Sequence, residues 1–472
     1  MIRRPTTRDY LGISVFWLAM NFFWGAMLFV VVQSRVQALV RAEQTPVAAQ
    51  AAAARAAVPA TAAQIRYALK HPGHAEKVLE AETNRRLGWM LGIGALISTL
   101  TQLLFGALSD NSRHPAGRRR PFVVIGTAAS NLGVVAFFLA HSYIWLFGSW
   151  MFIQFFLSIA LGPYQALLPD LIPLEHEGTA AAYMGLWQLI GRAGGMVAGA
   201  FFLQYRWGLV GLTVLFLMLL NGLMVATVML TRERPLRHRF PGGVFGSIGK
   251  MFRVELRRHP SFIWVLISRL CINMGIYTVE PFIQYYLMHV FGLTKEQTLQ
   301  KQILIGLIVN LAGVSAAFPA GVLSDRYPKK FIVYFACGVC IAGGVGFAVS
   351  GSVAMALIAG GVFGFGYGAF ASVDWALVCN VLPPGQPAKY MGLWSLGDTL
   401  PQIVAPMFGY MIVNFMIAHY NPNVGYRTAM AAAMIWFTLG TVCIRYVKEH
   451  KVSVREEAIE HEREEEEIAA RG

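Results

Sequence analysis

The chain has 472 residues, of which 56% are hydrophobic and only 14% are charged. In soluble globular proteins roughly a quarter of all residues are charged, so this composition excludes a soluble protein and indicates an integral membrane protein. A spanning helix needs about 20 apolar residues, and the chain therefore has room for about a dozen spans. The formal net charge of +14 is explained by the Lys and Arg residues that the positive-inside rule places in cytoplasmic loops, so no nucleic-acid partner is expected.

Uncharged apolar runs predict twelve transmembrane helices. Lys and Arg on the side that holds both termini outnumber those on the other side by more than two to one. We therefore expect a multi-pass protein of the cell inner membrane with both termini in the cytoplasm. The predicted helices of the first half lie near residues 10–37, 87–109, 121–141, 142–170, 178–204 and 208–230, and those of the second half near 261–290, 300–324, 331–350, 353–382, 390–418 and 426–446.

Charge and composition divide the remaining sequence. Residues 1–40 hold the first helix with its cytoplasmic N-terminus, and an extracytoplasmic Ala-rich connection follows. The connection covers residues 41–85, and the rest of the N-terminal half covers 86–230. A basic cytoplasmic linker (231–260), the C-terminal half (261–446) and an acidic cytoplasmic tail (447–472) follow.

No pattern for catalysis is found. The five cysteines lie in apolar segments of the second half, and the pair Cys337 and Cys340 has no other metal ligand in its segment. We interpret these cysteines as small residues in packed helices. Neither a metal cluster, a nucleophile with its base nor a phosphate-binding loop appears, so we expect no enzyme, no metal and no cofactor. Without an ATP site, the energy for any transport must come from an ion gradient.

An internal repeat relates the two groups of six helices. The segment YMGLW at 183–187 recurs at 390–394, and GALSD at 106–110 recurs as GVLSD at 321–325. Six is an even number, so the two halves have the same orientation and are related by an axis along the membrane normal. The sequence therefore predicts two parallel six-helix repeats with a binding site between them.

Two loops carry a resemblance to a known family. The segment GALSD (106–110), followed by GRRRP (117–121), resembles the signature G-x-L-x-D-R-x-G-R-R of the major facilitator superfamily, although Asn111 stands where the family usually has arginine. Three further segments, GPYQALLPD (162–170), VDWAL (373–377) and LPQ (400–402), are similar to the branch of sucrose and other glycoside proton symporters. The resemblance covers nearly the whole chain except the first connection and the tail, and it implies the major facilitator fold.

In that superfamily the two loops are thought to hold the cytoplasmic ends of the halves together, and we call them the latch loops. We expect Asp110 to meet either a helix N-terminus or an arginine, and basic residues there also favour anionic headgroups. A signal for topology alone is the alternative. The latch-loop candidates are Gly106, Asp110, Gly117, Arg118, Arg119 and Arg120 in the first half and Gly321, Asp325 and Arg326 in the second.

Charged residues inside predicted helices are the candidates for ion coupling. A charge at the centre of a spanning helix costs about 2.5 to 3.5 kcal/mol, so each one suggests a role. Arg269 and Asp374 both lie roughly 12 to 14 Å deep and can pair. We take Asp374 as the leading protonatable group, with a permanent structural ion pair as the alternative. Asp398 is a weaker coupling candidate.

The seventh predicted helix has a polar face that includes Asn273 and Tyr277, spaced at helical intervals. On the same face, Glu280 is a coupling or interfacial carboxylate, and Pro281 after it predicts a bend. In the fifth helix, Arg192 aligns through the repeat with a position beside Asp398, and we expect it to bind solute, to pair with a carboxylate or to serve packing.

Sugar rings are bound by aromatic faces together with amides and hydroxyls. On this ground further candidates for substrate binding are added, although each aromatic also suits packing or a membrane interface. The full set of substrate-binding candidates is Asn21, Trp24, Gln154, Tyr164, Gln165, Trp187, Gln188, Arg192, Asn273, Tyr277, Trp375 and Trp394.

Together these features predict a monomeric secondary transporter that moves a small polar solute, foremost a sugar or glycoside, by proton symport with alternating access. Its partners are the solute and the lipid bilayer. A Na⁺-coupled carrier and an exporter of another small molecule are the alternatives within transport. A non-transporting membrane sensor or scaffold with the same fold is the alternative of a different class.

Overall fold

A computed structural model describes residues 5–44, 72–110, 112, 114–205, 208–231, 233, 259–382 and 387–449. The described chain consists of helices and their connections, and ten helices are long and apolar enough to cross a membrane. Two further long helices, the first and the fifth, complete two groups of six. The predicted all-α fold with twelve helices is confirmed. The acidic tail from residue 450 and most of the Ala-rich connection and the basic linker lie outside the described residues.

The first half contains helices α1 to α6. Helix α1 has two parts, joined by a π-helical turn at Met27–Val31, and α4 continues into the short helix Leu167–Leu171. The helices are α1 (Thr7–Ala26 and Val32–Gln44), α2 (Pro72–Asp110), α3 (Arg120–Phe138), α4 (Tyr143–Gln165), α5 (Glu177–Phe202) and α6 (Gly208–Leu230).

The second half repeats this order with α7 to α12. Helix α7 changes to a 3-10 turn at Glu280–Phe282, around Pro281, the position at which a bend is predicted. The helices are α7 (Pro260–Val279 and Ile283–Phe291), α8 (Lys295–Leu323), α9 (Lys329–Val349), α10 (Val353–Asn380), α11 (Pro387–Trp394 and Leu396–His419) and α12 (Pro422–Cys443).

The same helix neighbours occur in both halves. In the first half α1 packs on α5 and α6, α4 on α2 and α3, and α3 on α6, and the equivalent pairs in the second half are also in contact. The halves meet through α2 with α11 and through α5 with α8 and α10. We call the side on which α1 begins and α12 ends the termini side.

A glycine face holds α5 close to α1. A Cβ atom at Gly191 would lie 2.6 Å from the carbonyl oxygen of Leu18, and a Cβ at Gly199 would lie 3.3 Å from the Cα of Ala26. Gly191 and Gly199, which lie about two turns apart on one face of α5, thus allow close helix contact. Arg192 follows directly after Gly191, so this contact fixes its height in the bundle.

The third helix of each half is capped at both ends. At the termini side, Glu233 accepts a hydrogen bond from the backbone N–H of Arg119 (2.7 Å), and Glu449 accepts from those of Lys329 (3.1 Å) and Lys330 (2.8 Å). These two glutamates follow α6 and α12, so they hold equivalent places in the repeat. A helix N-terminus carries positive partial charge, which a carboxylate stabilises.

Two arginines cap the opposite ends of these helices. Arg35 donates to the carbonyl oxygen of Ala140 (2.7 Å) just after α3, and Arg427 donates to those of Ala348 and Ser350 (2.7 Å each) at the end of α9. The last carbonyls of a helix lack intrahelical donors, so a cation there satisfies both hydrogen bonding and the helix dipole. Both helices are thereby fixed to neighbours within their own half.

Candidate functional site

Asp110, at the end of α2, binds the start of a helix in the other half. Its carboxylate accepts hydrogen bonds from the backbone N–H groups of Ala388 (3.4 Å) and Lys389 (3.1 Å), in the first turn of α11. Gly106 permits this approach, because a Cβ there would lie 2.7 Å from the carbonyl oxygen of Ala388. The carboxylate therefore satisfies N–H groups that have no partner within their own helix.

Asp325, at the end of α8, makes the equivalent contact in the opposite direction. It accepts hydrogen bonds from the backbone N–H groups of Gly178 (2.7 Å) and Thr179 (2.8 Å), in the first turn of α5. Gly321 is packed so closely that a Cβ there would lie 2.7 Å from the carbonyl oxygen of Gly178. Two repeat-related carboxylates thus join the halves at the termini side.

An arginine also binds Asp110, so both of the predicted partners are present. Arg119 donates to Asp110 (2.6 Å) and to Asp170 (3.0 Å), and Arg118 pairs with Asp170 (2.5 Å). Burial by itself would lower the pKa of Arg119, but the carboxylates of Asp170 and Asp110 outweigh it and raise that pKa. The side chain of Arg119 has 0% exposure, which removes it from any contact with lipid headgroups.

The other latch-loop candidates have lesser roles. Gly117 has a φ of +117°, a conformation that favours glycine, and a Cβ there would lie 2.7 Å from the carboxylate of Glu233. Arg120 is half-buried and Arg326 is exposed. The structure thus brings Asp110, Arg118 and Arg119 into one cluster, whereas Arg326 lies at the surface.

Arg269 and Asp374 form a buried ion pair between α7 and α10. The exposed fractions of their side chains are 15% and 2%. The guanidinium of Arg269 also lies over the ring of Trp394, 3.5 Å from its centroid. A cation over an indole face is stabilised electrostatically, so Trp394 holds the arginine beside its partner.

A second polar cluster includes Arg192 of α5. Its charge interacts with Glu280 and Asp398, and with Tyr277 and Tyr367, all in the second half. Asp398 accepts hydrogen bonds from the Tyr277 hydroxyl (3.1 Å) and from the Gln402 amide (3.3 Å). Of the three roles predicted for Arg192, the interaction with carboxylates is the one that this arrangement contains. Glu280, predicted as either interfacial or coupling, belongs to this cluster.

Aromatic rings connect the two halves next to the ion pair. Trp17 of α1 contacts Trp375 of α10 with centroids 5.4 Å apart, and Trp375 contacts Trp394 at 4.4 Å. Tyr164 packs against Trp17 and is 1% exposed. Within the described residues, the buried indole N–H groups of Trp187 and Trp394 have no hydrogen-bond acceptor.

Most of the remaining substrate candidates make contacts within the protein. Gln165 accepts a hydrogen bond from Ser395 across the halves (3.2 Å), and Asn273 donates to the carbonyl oxygen of Gly397 (2.9 Å). Asn21 donates to the backbone carbonyl oxygen of Trp17 in its own helix (3.0 Å). The others lie in packed or half-buried positions, namely Trp24 against the ring of Trp150, Gln154 at 7% exposure, and Gln188.

Two members of the cluster around Arg192 were not among the predicted residues. Tyr367 lies in a glycine-rich stretch of α10, where nothing marks it as polar lining. Gln402 lies four residues after Asp398 on α11, a spacing that could have identified it. Gln402 is exposed, so the cluster reaches an accessible surface.

Two six-helix repeats, joined by helix caps at one end and enclosing buried charges from both halves, define the fold of a two-repeat membrane transporter. Residues 47–406 match the family model described as Major Facilitator Superfamily. This match covers more than half of the chain, and the protein belongs to the major facilitator superfamily.

Solved structures share this fold at low sequence identity. The human organic anion transporter TETRAN is 14% identical, with 93% of this chain and 98% of that chain covered and a TM-score of 0.69. The E. coli fucose:proton symporter is 12% identical, with 92% and 98% covered and a TM-score of 0.57. A bacterial homologue of the human lysosomal transporter Spinster is 14% identical, with 94% and 98% covered and a TM-score of 0.56. These similarities concern the fold alone.

Proposed function

We propose that the protein is a secondary active transporter that moves a small polar solute, foremost a sugar or glycoside, together with protons. The observation that supports this proposal best is the presence of charges from both halves within the helix bundle, where the charge of Arg192 of the first half interacts with those of Glu280 and Asp398 of the second. Charges are costly inside a membrane, and in transporters they mark ion and substrate pathways. An inert scaffold has no need for them.

The contacts at the termini side support alternating access. Asp110 and Asp325 each bind the first turn of a helix in the other half. Hydrogen bonds to charged groups contribute about 1.5 to 3 kcal/mol each, so these caps stabilise one closed arrangement without making it permanent. We propose that the termini side is cytoplasmic, that both termini lie in the cytoplasm of a cell with an inner membrane, and that the described state is closed to the cytoplasm.

Unsatisfied donors inside the helix bundle suit an uncharged polyhydroxylated solute. The Trp187 and Trp394 indole N–H groups can donate to hydroxyls, and the exposed Gln402 amide adds a further polar contact. Indole faces pack against the C–H faces of a sugar ring. The sequence segments that resemble sucrose and glycoside symporters favour the same class of solute. We propose that the protein acts as a monomer, with the proton gradient as its energy source, or a Na⁺ gradient as the alternative, and with no cofactor.

The proposal is tested by uptake into proteoliposomes. Purified protein is reconstituted, and labelled sucrose, maltose and simple glucosides are offered with an inward proton gradient, an inward Na⁺ gradient or no gradient. We expect accumulation of at least one sugar with the proton gradient, abolished by a protonophore. The control is the exposed Glu296→Gln, which should transport normally.

Other results identify the alternatives. Accumulation driven by Na⁺ alone would replace proton coupling with sodium coupling. Uptake of an organic anion or amphipathic compound, with no sugar transported, would overturn the sugar assignment. If none of these solutes moves with any gradient while the protein remains folded, a sensor or scaffold becomes the better explanation.

A further inference from the structure

Two basic residues are neighbours on the termini side of the second half, and we call Lys330 and Arg445 the basic pair. The ammonium of Lys330, in the first turn of α9, donates a hydrogen bond to the backbone carbonyl oxygen of Arg445, just after α12 (3.2 Å). The side chain of Arg445 is exposed. An ammonium has three donors and a guanidinium has five. Among the described residues this one bond is the only one that their side chains make, so the basic pair can bind a further group that offers oxygens.

The acidic residues nearest to the basic pair in the sequence are bound elsewhere. Both carboxylate oxygens of Glu449 accept hydrogen bonds from backbone N–H groups at the start of α9, and both of Asp325 accept from the start of α5. Neither forms an ion pair with Lys330 or Arg445 within the part of the chain that the structure describes. Lys448 is exposed and adds a further positive charge. Positive charge therefore remains uncompensated at this surface.

The basic pair lies where the outer surface of the bundle changes from apolar to polar. On the apolar side, Phe331 and Phe335 of α9 and Val442 of α12 are 69%, 58% and 53% exposed. Tyr446, which is 56% exposed, stacks on Trp264 with ring centroids 4.6 Å apart. Aromatic residues of this kind are enriched at the interface between membrane and water. This surface therefore combines cations at the height of the headgroups with apolar side chains at the height of the acyl chains.

The first half does not repeat this arrangement. Arg445 lies four residues before the cap residue Glu449, and the equivalent residue of the first half, four residues before Glu233, is Met229. The carbonyl oxygen of Met229 also accepts a hydrogen bond from a basic side chain, that of Arg8 (3.4 Å). The methionine side chain is 71% exposed, so an apolar group stands where the second half has a guanidinium. The repeated scaffold thus needs one cation at this carbonyl but not the second, which suggests a separate role for Arg445.

We propose that the basic pair and the apolar side chains beside it form a binding site for one anionic phospholipid of the leaflet on the termini side. The phosphate accepts hydrogen bonds from Lys330 and Arg445, and the acyl chains lie along Phe331, Phe335 and Val442. Basic residues at a membrane surface attract anionic headgroups, whereas the ammonium of a zwitterionic headgroup opposes them. A free anion or an acidic peptide would leave the apolar part of the site uncovered. The site does not depend on the proposed transport.

The site is tested on the full chain in a neutral detergent by native mass spectrometry. Dioleoyl phosphatidylglycerol, which is anionic, or dioleoyl phosphatidylcholine, which is zwitterionic, is added, and the apparent Kd of the first bound lipid is measured. We expect the wild type to bind phosphatidylglycerol more tightly. Each basic residue near an anionic headgroup changes the affinity about fivefold, so Lys330→Gln and Arg445→Gln should each weaken binding by that factor and the double variant about 30-fold.

Two further variants serve as controls. Arg8→Gln removes the cation at the equivalent carbonyl of the first half, so the affinity for phosphatidylglycerol should stay as in the wild type. Arg445→Lys keeps the positive charge and should keep most of the affinity. Equal binding of the two lipids by the wild type, or an unchanged affinity in the double variant, would overturn the site. If the double variant does not fold, the two single variants decide the outcome.

The acidic tail is the other source of negative charge near the basic pair, because residues 450–472 follow Glu449 directly and are rich in glutamate. Limited digestion with trypsin separates the two occupants. Slower cleavage of residues 450–472 in the wild type than in the double variant, together with no preference for phosphatidylglycerol, would assign the basic pair to the tail and overturn the lipid site. Equal cleavage with the lipid preference intact supports it. Because no solute is needed, failure of sugar uptake would bear on the proposed function alone.

Discussion

Asp110 and Asp325 hold equivalent positions in the two halves, and each carboxylate caps the first turn of a helix that belongs to the other half. The contact is reciprocal, since α2 reaches α11 while α8 reaches α5. A single interaction of this kind would allow the halves to pivot about it. Two of them, one from each half, hold the halves together at the termini side.

Replacing either carboxylate should shift the protein towards a state that is open at the termini side. Asp325→Ala loses the hydrogen bonds from the backbone N–H groups of Gly178 and Thr179, which are each worth about 1.5 to 3 kcal/mol, enough to change the closed population by at least tenfold. The measurement is the distance distribution between spin labels at the exposed positions Glu175 and Arg326, in a background without native cysteines. An unchanged distribution would contradict the role of the cap.

The closed arrangement should also be sensitive to added volume at the glycines beside the caps. In Gly106→Ala the new methyl group would approach the carbonyl oxygen of Ala388 to 2.7 Å, so α2 and α11 must separate at a cost of about 1 to 3 kcal/mol. Gly222→Ala is the matched control, because a Cβ there meets no atom within 4 Å. Spin-label distances should lengthen in the first variant and stay as in the wild type in the second.

The arginine caps of the third helices should matter for stability rather than for transport. Arg427→Met leaves the carbonyl oxygens of Ala348 and Ser350 without their donor, which should reduce the free energy of unfolding by about 1 to 3 kcal/mol. Thermal unfolding in detergent measures this loss, and the exposed Arg41→Met provides the control. A melting temperature equal to that of the control would show that the cap is dispensable.

Asp374→Asn alone should reduce the stability of the protein more than removal of the whole ion pair. The single variant leaves the Arg269 guanidinium buried without its partner, a change that costs about 3 to 5 kcal/mol in other proteins. Adding Arg269→Met should recover much of the loss. The four melting temperatures of this double-mutant cycle give the coupling between the two residues. If the losses are simply additive, the pair contributes nothing as a unit.

Much of the architecture could be predicted from the sequence, because uncharged runs bounded by charges determine where helices can cross a membrane. A break in the regular α-helix at Pro281 could be anticipated from the missing backbone donor, and the pairing of Arg269 with Asp374 from their equal depths in two helices. Asp110 was identified by its resemblance to a family signature, and the structure supplies both of its expected partners.

Other contacts could not be predicted from the sequence. Glu233 and Glu449 lie among the charges of the linker and the tail, where nothing separates a helix cap from a solvated residue. Arg35 binds backbone carbonyls, which every residue provides, so its partner has no sequence signature. The cluster around Arg192 depends on how the halves pack, and spacing along one helix does not reveal contacts between helices.

Some helix caps of this protein join parts of one half, whereas others join the two halves. Their hydrogen bonds should therefore have different lifetimes. Glu449 caps α9 within its own half, so the amides of Lys329 and Lys330 can stay bonded throughout a transport cycle. The amides of Gly178 and Lys389 are bonded across the halves and must be released whenever the termini side opens. Hydrogen–deuterium exchange should accordingly be slow at the first pair of amides and follow the rate of turnover at the second.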